Sequence, residues 1–200
     1  MPPMRKSAGE KNALAVASAM TREELAERMC SVHVSRVAEL PRIELYLDQV
    51  LVLVADELAF VRVAGEGPLT GSMVNNYVKQ HVVTPPVKKR YGRTQLAELF
   101  FVCLFKRVYS LAQLAQVMGM VRASSVDQGA LYDEVVAALE CALAEQFAVS
   151  SDFVAPAVEP RIVPRDATGA EVAPELARLL EAAVVSLAAK VYVEQTLALG

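Results

Sequence analysis

Thr70–Arg107 reads TGSMVNNYVKQHVVTPPVKKRYGRTQLAELFFVCLFKR, and the order of its caps, breaks and charges decides what kind of fold the chain can adopt. Thr70 is suited to cap a helix, since its hydroxyl can accept a hydrogen bond from the free N–H groups of the following turn. The spacing then predicts a short helix from Gly71 to Gln80. Met73, Val74, Tyr77 and Val78 recur at 3.6-residue intervals as a buried stripe, which leaves Ser72, Asn75, Asn76 and Lys79 facing outward. Asn can pair bidentately with adenine, Ser can meet a base or phosphate, and Lys can meet guanine or a phosphate. Pro85 and Pro86 end any helix, because proline lacks the N–H and clashes with the preceding turn. Lys88, Lys89, Arg90 and Tyr91 then form a short basic wing, and a new helix is predicted from about Thr94 to Arg107.

Charge is distributed unevenly. Residues 70 to 110 carry seven cations (Lys79, Lys88, Lys89, Arg90, Arg93, Lys106, Arg107) and one anion, Glu98, a net of +6 in a chain whose formal charge is -3. An acidic protein with one strongly basic segment has the asymmetry expected of a nucleic-acid site. The competing reading of KKR is a solvated charged loop. A capped, Asn-bearing helix beside the triplet favours the first reading, with double-stranded DNA as the partner.

The run MVNNYVKQHVVTPPVKKRYGRTQLAELFFVCLFKRVYSLAQLAQVM is similar to the winged-helix half of MerR-type regulators. There a Tyr-bearing recognition helix, a Leu-Leu/Pro-Pro exit, an Arg-Tyr wing and a helix-turn-helix come in that order. Tyr77, Val82, Val83, Pro85, Pro86, Lys89, Tyr91, Leu96, Leu99 and SLAQLAQVM fall on that pattern. Two positions depart from it: Asn75 stands where those regulators carry a phosphate-binding Arg, and His81 where they carry a Gly that turns the chain out of the helix. Histidine is among the non-glycine residues that tolerate positive φ, so the turn can survive. LPRIELYLDQV at Leu40–Val50, with NNYVK at Asn75–Lys79, also resembles a bacterial family known only as a domain of unknown function, over roughly residues 30 to 145. That resemblance implies no established activity.

Upstream, residues 1–20 read as a flexible tail. Arg5 and Lys6 precede ALAVASAM, an apolar run too short for a secretion signal. Thr21 and Glu24 form a capping box that starts a helix running toward Ala38, and Pro41 separates it from the next apolar segment. Cys30 and His33 lie one turn apart on it. The chain lacks a second ligand pair, so packing and surface roles are favoured over a metal site. Ile43 to Val63 is apolar on nearly every side and is expected to be the central buried helix, with Asp48 and Asp56 on a solvated face. No histidine, metal motif or glycine-rich phosphate loop accompanies these carboxylates, so no catalytic residue, cofactor or metal is assigned and an enzyme is not expected.

Downstream, Ser110 caps a helix Leu111–Met118 that Gly119 closes. A longer helix spans about Val126 to Val149, with Leu131, Val135, Leu139, Ala142, Leu143 and Phe147 in one stripe. That stripe fits either the core or a homodimer seam. Residues 150–173 have linker composition. Pro174 opens a terminal amphipathic helix whose apolar stripe must be covered by its own core, a second subunit or a ligand. With 54% hydrophobic residues and three dispersed cysteines, the chain is a well-cored globular protein whose thiols read as buried hydrophobes of a reducing cytoplasm. No apolar run reaches the ~18 residues of a membrane span.

The fold class expected is therefore all-α: a helical bundle containing a MerR-like winged helix-turn-helix, with a small wing that can form a short β-hairpin. Its units are a tail (1–20), a winged domain (21–149), a linker (150–173) and a terminal helix (174–200). The expected function is a cytoplasmic, homodimeric DNA-binding regulator. Ser72, Asn75 and Asn76 would face bases, and Lys79, Lys88, Lys89, Arg90 and Arg93 would face phosphates. The alternative is a helical adaptor or ligand-binding protein on the same scaffold, since fold does not fix function.

Overall fold

A computed structural model describes residues 20–63, 65–148 and 161–199. Among these residues there are seven α-helices: α1 (Arg22–Cys30), α2 (Leu47–Glu57), α3 (Gly71–Lys79), α4 (Arg93–Phe105), α5 (Leu111–Ala123), α6 (Gln128–Ala148) and α7 (Pro174–Ala198). One 3-10 turn, Ala59–Val61, completes the set. Pairing between extended segments is limited to isolated bridges, Leu45 with Tyr91 and Val87 with Arg90 among them. The fold is mostly helical, as the periodicity predicts. The expected tail, apart from Met20, and residues 150–160 of the expected linker lie outside the described residues.

Local chemistry sets the helix starts. Thr21 Oγ1 accepts from the Glu24 N–H at 3.1 Å while the Glu24 carboxylate accepts from the Thr21 N–H at 2.8 Å, the reciprocal box that opens α1. Thr70 Oγ1 accepts from Met73 N–H, Ser110 and Gln113 form a second box, and Pro174 occupies the first turn of α7.

The central helix is α4, not the Ile43–Val63 segment. Every residue from Leu96 to Phe105 is buried, with Phe100, Leu104 and Val102 fully so. Each large apolar side chain so placed contributes about 1.5–3 kcal/mol of transfer free energy. By contrast α2 buries only Val50 and Val54, while Val52 is 62% and Ile43 72% exposed. The continuous helix expected over Ile43–Val63 breaks up because residues 41–46 enter as irregular chain that bends at 42–43 and bridges to Tyr91 at Leu45, and Leu58 begins a tighter turn. Three smaller expectations are corrected as well. α1 ends at Cys30, and residues 31–40 instead wrap across α6. α5 runs through Gly119 to Ala123. Cys141 is exposed, whereas Cys103 is buried and Cys30 partly so.

The α6 stripe (Leu131, Val135, Leu139, Ala142, Leu143, Phe147) is buried within the chain, and so are Leu176, Leu180, Val184, Leu187 and Val191 of α7. The two longest helices cover each other, so the terminal helix packs on its own core. Phe147 meets Tyr192 edge-on at 5.1 Å. The strap at 161–173 is tied down: Ile162 is 2% exposed, its N–H donates to Glu181, and Asp127 N–H donates to the Arg165 carbonyl. Among the described residues no helix is long and apolar enough to cross a membrane.

Candidate nucleic-acid interface

α3 is oriented by Val74 and Tyr77, which are 0% and 3% exposed and seat the helix on the core. Burial pushes the Tyr77 hydroxyl up to about 12, and the buried Cys103 thiol, itself pushed up to about 11 by burial, adds to that shift. Met73 and Val78 pack against the same core. With that face inward, Ser72, Asn75, Asn76 and Lys79 are all exposed. The Asn76 side-chain oxygen accepts from the Gln80 amide at 3.2 Å, while Ser72 and Asn75 keep their side-chain hydrogen-bonding capacity.

The helix ends in a Schellman turn. Val82 N–H donates to the Tyr77 carbonyl and His81 N–H to the Val78 carbonyl. His81 takes φ 56° there, which fills the place expected of a glycine. Arg122 of α5 donates to the His81 and Val82 carbonyls and to the Glu98 carboxylate at 2.9 Å. Glu98 also accepts from both the N–H and the hydroxyl of Thr84. One buried carboxylate on α4 thus fixes the exit of α3 and the approach to the wing.

The wing is a two-residue turn. Val87 and Arg90 exchange both backbone hydrogen bonds, and Lys88 and Lys89 between them have φ 49° and 64°. Positive φ at both central positions is the type I′ geometry normally given to Asn-Gly. Here two exposed lysines hold it, although left-handed backbone costs an L-residue roughly 1–2 kcal/mol.

Arg90 and Arg93 have partners of their own. The Arg90 guanidinium donates to the Tyr46 hydroxyl at 2.8 Å and lies 4.7 Å over its ring. Arg93 donates to the carbonyls of Leu40 and Ala38, which joins α4 to the segment before α2 rather than presenting a cation. Arg107, counted in the basic segment, is 6% exposed between Glu66 and Glu194. The accessible cations of the stretch reduce to Lys79, Lys88, Lys89, Arg90 and Lys106.

The start of α2 brings wing and α3 to one end of the molecule. Tyr46 holds Arg90, Leu45 pairs with Tyr91, and the backbone of Gly71 approaches Leu47 so closely that an added Cβ would lie 3.1 Å from its Cδ2. Glu44 and Asp48 are exposed beside this junction and offset part of the positive charge.

Two contributors escaped the reading of the sequence. Tyr46 belongs to the LYLDQ signature, and the signal was an exposed aromatic at a helix start. Glu98 is the lone anion of α4, and a single charge inside the apolar run LAELFFVCLF was the available hint. Cys30 and His33 do not converge: the thiol faces the Ala144 carbonyl, and the imidazole meets Glu39 and Glu140.

No curated protein and no solved structure matches the chain. Residues 35–136, just over half of the chain, match the family model described as Domain of unknown function (DUF1836), and the chain belongs to that family.

Proposed function

We propose that the protein is a DNA-binding regulator of the winged-helix kind, reading duplex DNA with the outward face of α3 and gripping its backbone with the 87–90 turn. The observation that carries this reading is the strained turn presenting Lys88 and Lys89 at the same end as the first turn of α3. Recognition helices contact base edges mainly through their N-terminal residues, and adjoining cations hold the phosphates. Ser72, Asn75 and Asn76 are the base readers in this proposal, and Lys79, Lys88, Lys89 and Arg90 the phosphate contacts. Arg93 leaves that set, since its guanidinium is engaged with backbone carbonyls. The resemblance to MerR-type regulators supports the same assignment.

A module of this size reads a short half-site, so two copies would act on a two-fold operator. With the inner stripes of α6 and α7 covering each other, the surface left for pairing is the outer side of α7, where Leu179, Val185, Val193 and Leu197 are exposed. Light scattering that finds only monomer at millimolar protein would remove the dimer.

The test of DNA reading is binding to selected and scrambled duplexes across a salt series. Affinity should fall with a slope of about -0.9 per phosphate neutralised. Lys88→Ala, Lys89→Ala and Arg90→Ala together should flatten that slope by roughly one to three units on every sequence. Asn75→Ala or Asn76→Ala should keep the slope and cost roughly 1–3 kcal/mol on the best site only. No binding tighter than ~10⁻⁴ M at low salt would remove the proposal. The second reading, a protein-binding adaptor, then takes its place. It is favoured by the exposed Ile43, Tyr46, Val52 and Val87 along α2 and the wing.

A further inference from the structure

Behind the α3 exit, α4, α5, α6 and α7 line a half-open cavity of about 330 Å³. Each helix supplies apolar wall: Phe101 from α4, Met118 from α5, Val135 from α6 and Leu180 from α7. The volume is that of roughly eleven waters at liquid density. It lies at the lower end of the range of small-molecule pockets, which are typically apolar enclosures with a few convergent polar groups. Thr94, Asp127 and Gln128 provide those groups at the rim. Among the described residues the Thr94 hydroxyl and the Gln128 amide have no hydrogen-bond partner, so both remain available.

The charges around the rim select the polar end of an occupant. The start of α6 would ordinarily attract an anion through its free N–H groups. Here Asp127 Oδ1 accepts from Gly129 N–H at 2.9 Å and from Ala130 N–H at 3.0 Å, so the helix satisfies its own end with a carboxylate. Glu98, on the cavity wall, is balanced by Arg122. The remaining formal charge at the mouth is negative, and Asp127 Oδ2 is free to accept.

We propose that this cavity binds a small amphipathic molecule whose apolar body fits among Phe101, Met118, Val135 and Leu180 and whose polar end donates hydrogen bonds, an aralkylamine being the simplest example. An anionic analogue is disfavoured by Asp127. The wall residues Thr94, Ala97, Glu98 and Phe101 form one face of α4, so the occupant lies against the carboxylate that holds Thr84 and, through Arg122, the end of α3. The site does not depend on the DNA proposal, because its test uses the protein alone.

The neutral, environment-sensitive dye 6-propionyl-2-dimethylaminonaphthalene is titrated into the full chain, then competed with tryptamine and with indole-3-acetate, which share a ring system and differ in charge. Expected are saturable one-to-one uptake with blue-shifted emission and displacement by tryptamine at least ~10-fold more effective than by indole-3-acetate. Ala97→Phe, which fills the cavity, should weaken dye uptake at least ~10-fold while the helical circular dichroism persists. Should that variant fail to fold, Asp127→Asn keeps the cap and should abolish the preference for tryptamine. Lack of saturable uptake up to ~1 mM dye, uptake unchanged in folded Ala97→Phe, or equal displacement by the two competitors overturns the proposal.

Discussion

His81 and the Lys88–Lys89 pair all hold positive φ within nine residues of one another, yet the two turns they make are held by different forces. Around His81 the fixing is tertiary. Val82 and Val83 beside it are fully buried, and Arg122 reaches across from α5 to the two carbonyls that end α3. Around Lys88 and Lys89 the turn itself is closed locally, by one pair of backbone bonds between Val87 and Arg90, and its tertiary tie is the exposed Arg90 contact to Tyr46. The first turn is where the core dictates the path of the chain. The second holds its two lysines out into solvent. A backbone conformation of the same kind therefore has a structural explanation in one place and, in our reading, a functional one in the other.

The contrast is broken or upheld most forcefully at Glu98. Its side chain is 6% exposed and serves Thr84 and Arg122 together, so Glu98→Ala takes the acceptor from the half-buried Thr84 N–H and hydroxyl and leaves the partly exposed Arg122 guanidinium with only the His81 and Val82 carbonyls. Leaving such half-buried donors short of an acceptor costs about 1–3 kcal/mol. The denaturant midpoint should drop accordingly. Arg90→Ala, which removes an exposed cation–π contact and one hydrogen bond, should cost no more than about 1 kcal/mol. Equal costs for the two variants would mean that the wing is as much a part of the core as the α3 exit.

These two turns also show what a sequence can disclose. The caps at Thr21, Thr70 and Ser110, the stripe on α3 and the proline at the start of α7 are governed by neighbours within a few residues, and they are legible from spacing. His81 was legible as well, through the resemblance that puts a turn-making glycine at its position and the tolerance of histidine for positive φ. The roles of α2 and α4 were not. Both are rich in apolar residues, and which of them becomes central depends on what packs around it, a property of contacts far apart in the chain. The same holds for charge: Arg93 and Arg107 count as cations in the sequence, but their partners lie at Leu40 and at Glu194. Glu98 looked like a stray anion because its cation is Arg122, on the next helix.

Acid provides a gentler test on a third polar tie. The irregular segment after α1 is held to α6 by Glu140, which accepts from Arg36 and from the Val34 N–H. Burial alone would raise the Glu140 carboxyl, but those hydrogen bonds and the Arg36 charge hold it below its ordinary value. A carboxylate depressed in the folded state contributes stability that is complete above its unfolded pKa, near 4.5, and is lost as pH falls through the folded value. Melting temperature should therefore decline on acidification below about 4.5, and Glu140→Gln should make that decline shallower. The wing turn, whose ties are backbone bonds and a phenol, should be insensitive in the same window. Hydrogen exchange corrected for intrinsic rates should show residues 33–40 loosening before 87–91.

The smallest effects belong to glycine, and they separate the two turns most cleanly. Replacing a left-handed L-residue by glycine relieves roughly 1–2 kcal/mol of backbone strain and adds roughly 0.5–1 kcal/mol of unfolded-chain entropy to be overcome. The net for each of His81→Gly, Lys88→Gly and Lys89→Gly is a gain of about 0–1.5 kcal/mol, visible as a slight rise in melting temperature. All three side chains are exposed, so little packing is lost. Function should divide them. His81→Gly leaves every proposed phosphate contact in place, and the salt slope of DNA binding should match the wild type. Lys88→Gly and Lys89→Gly each remove a cation and should flatten the slope by about 0.9, so that a more stable protein binds less well. A wing that existed only to connect Pro86 to α4 would accept the same glycines with no change in binding, and a slope that moved with His81 instead would shift the proposed contact from the wing to the end of α3.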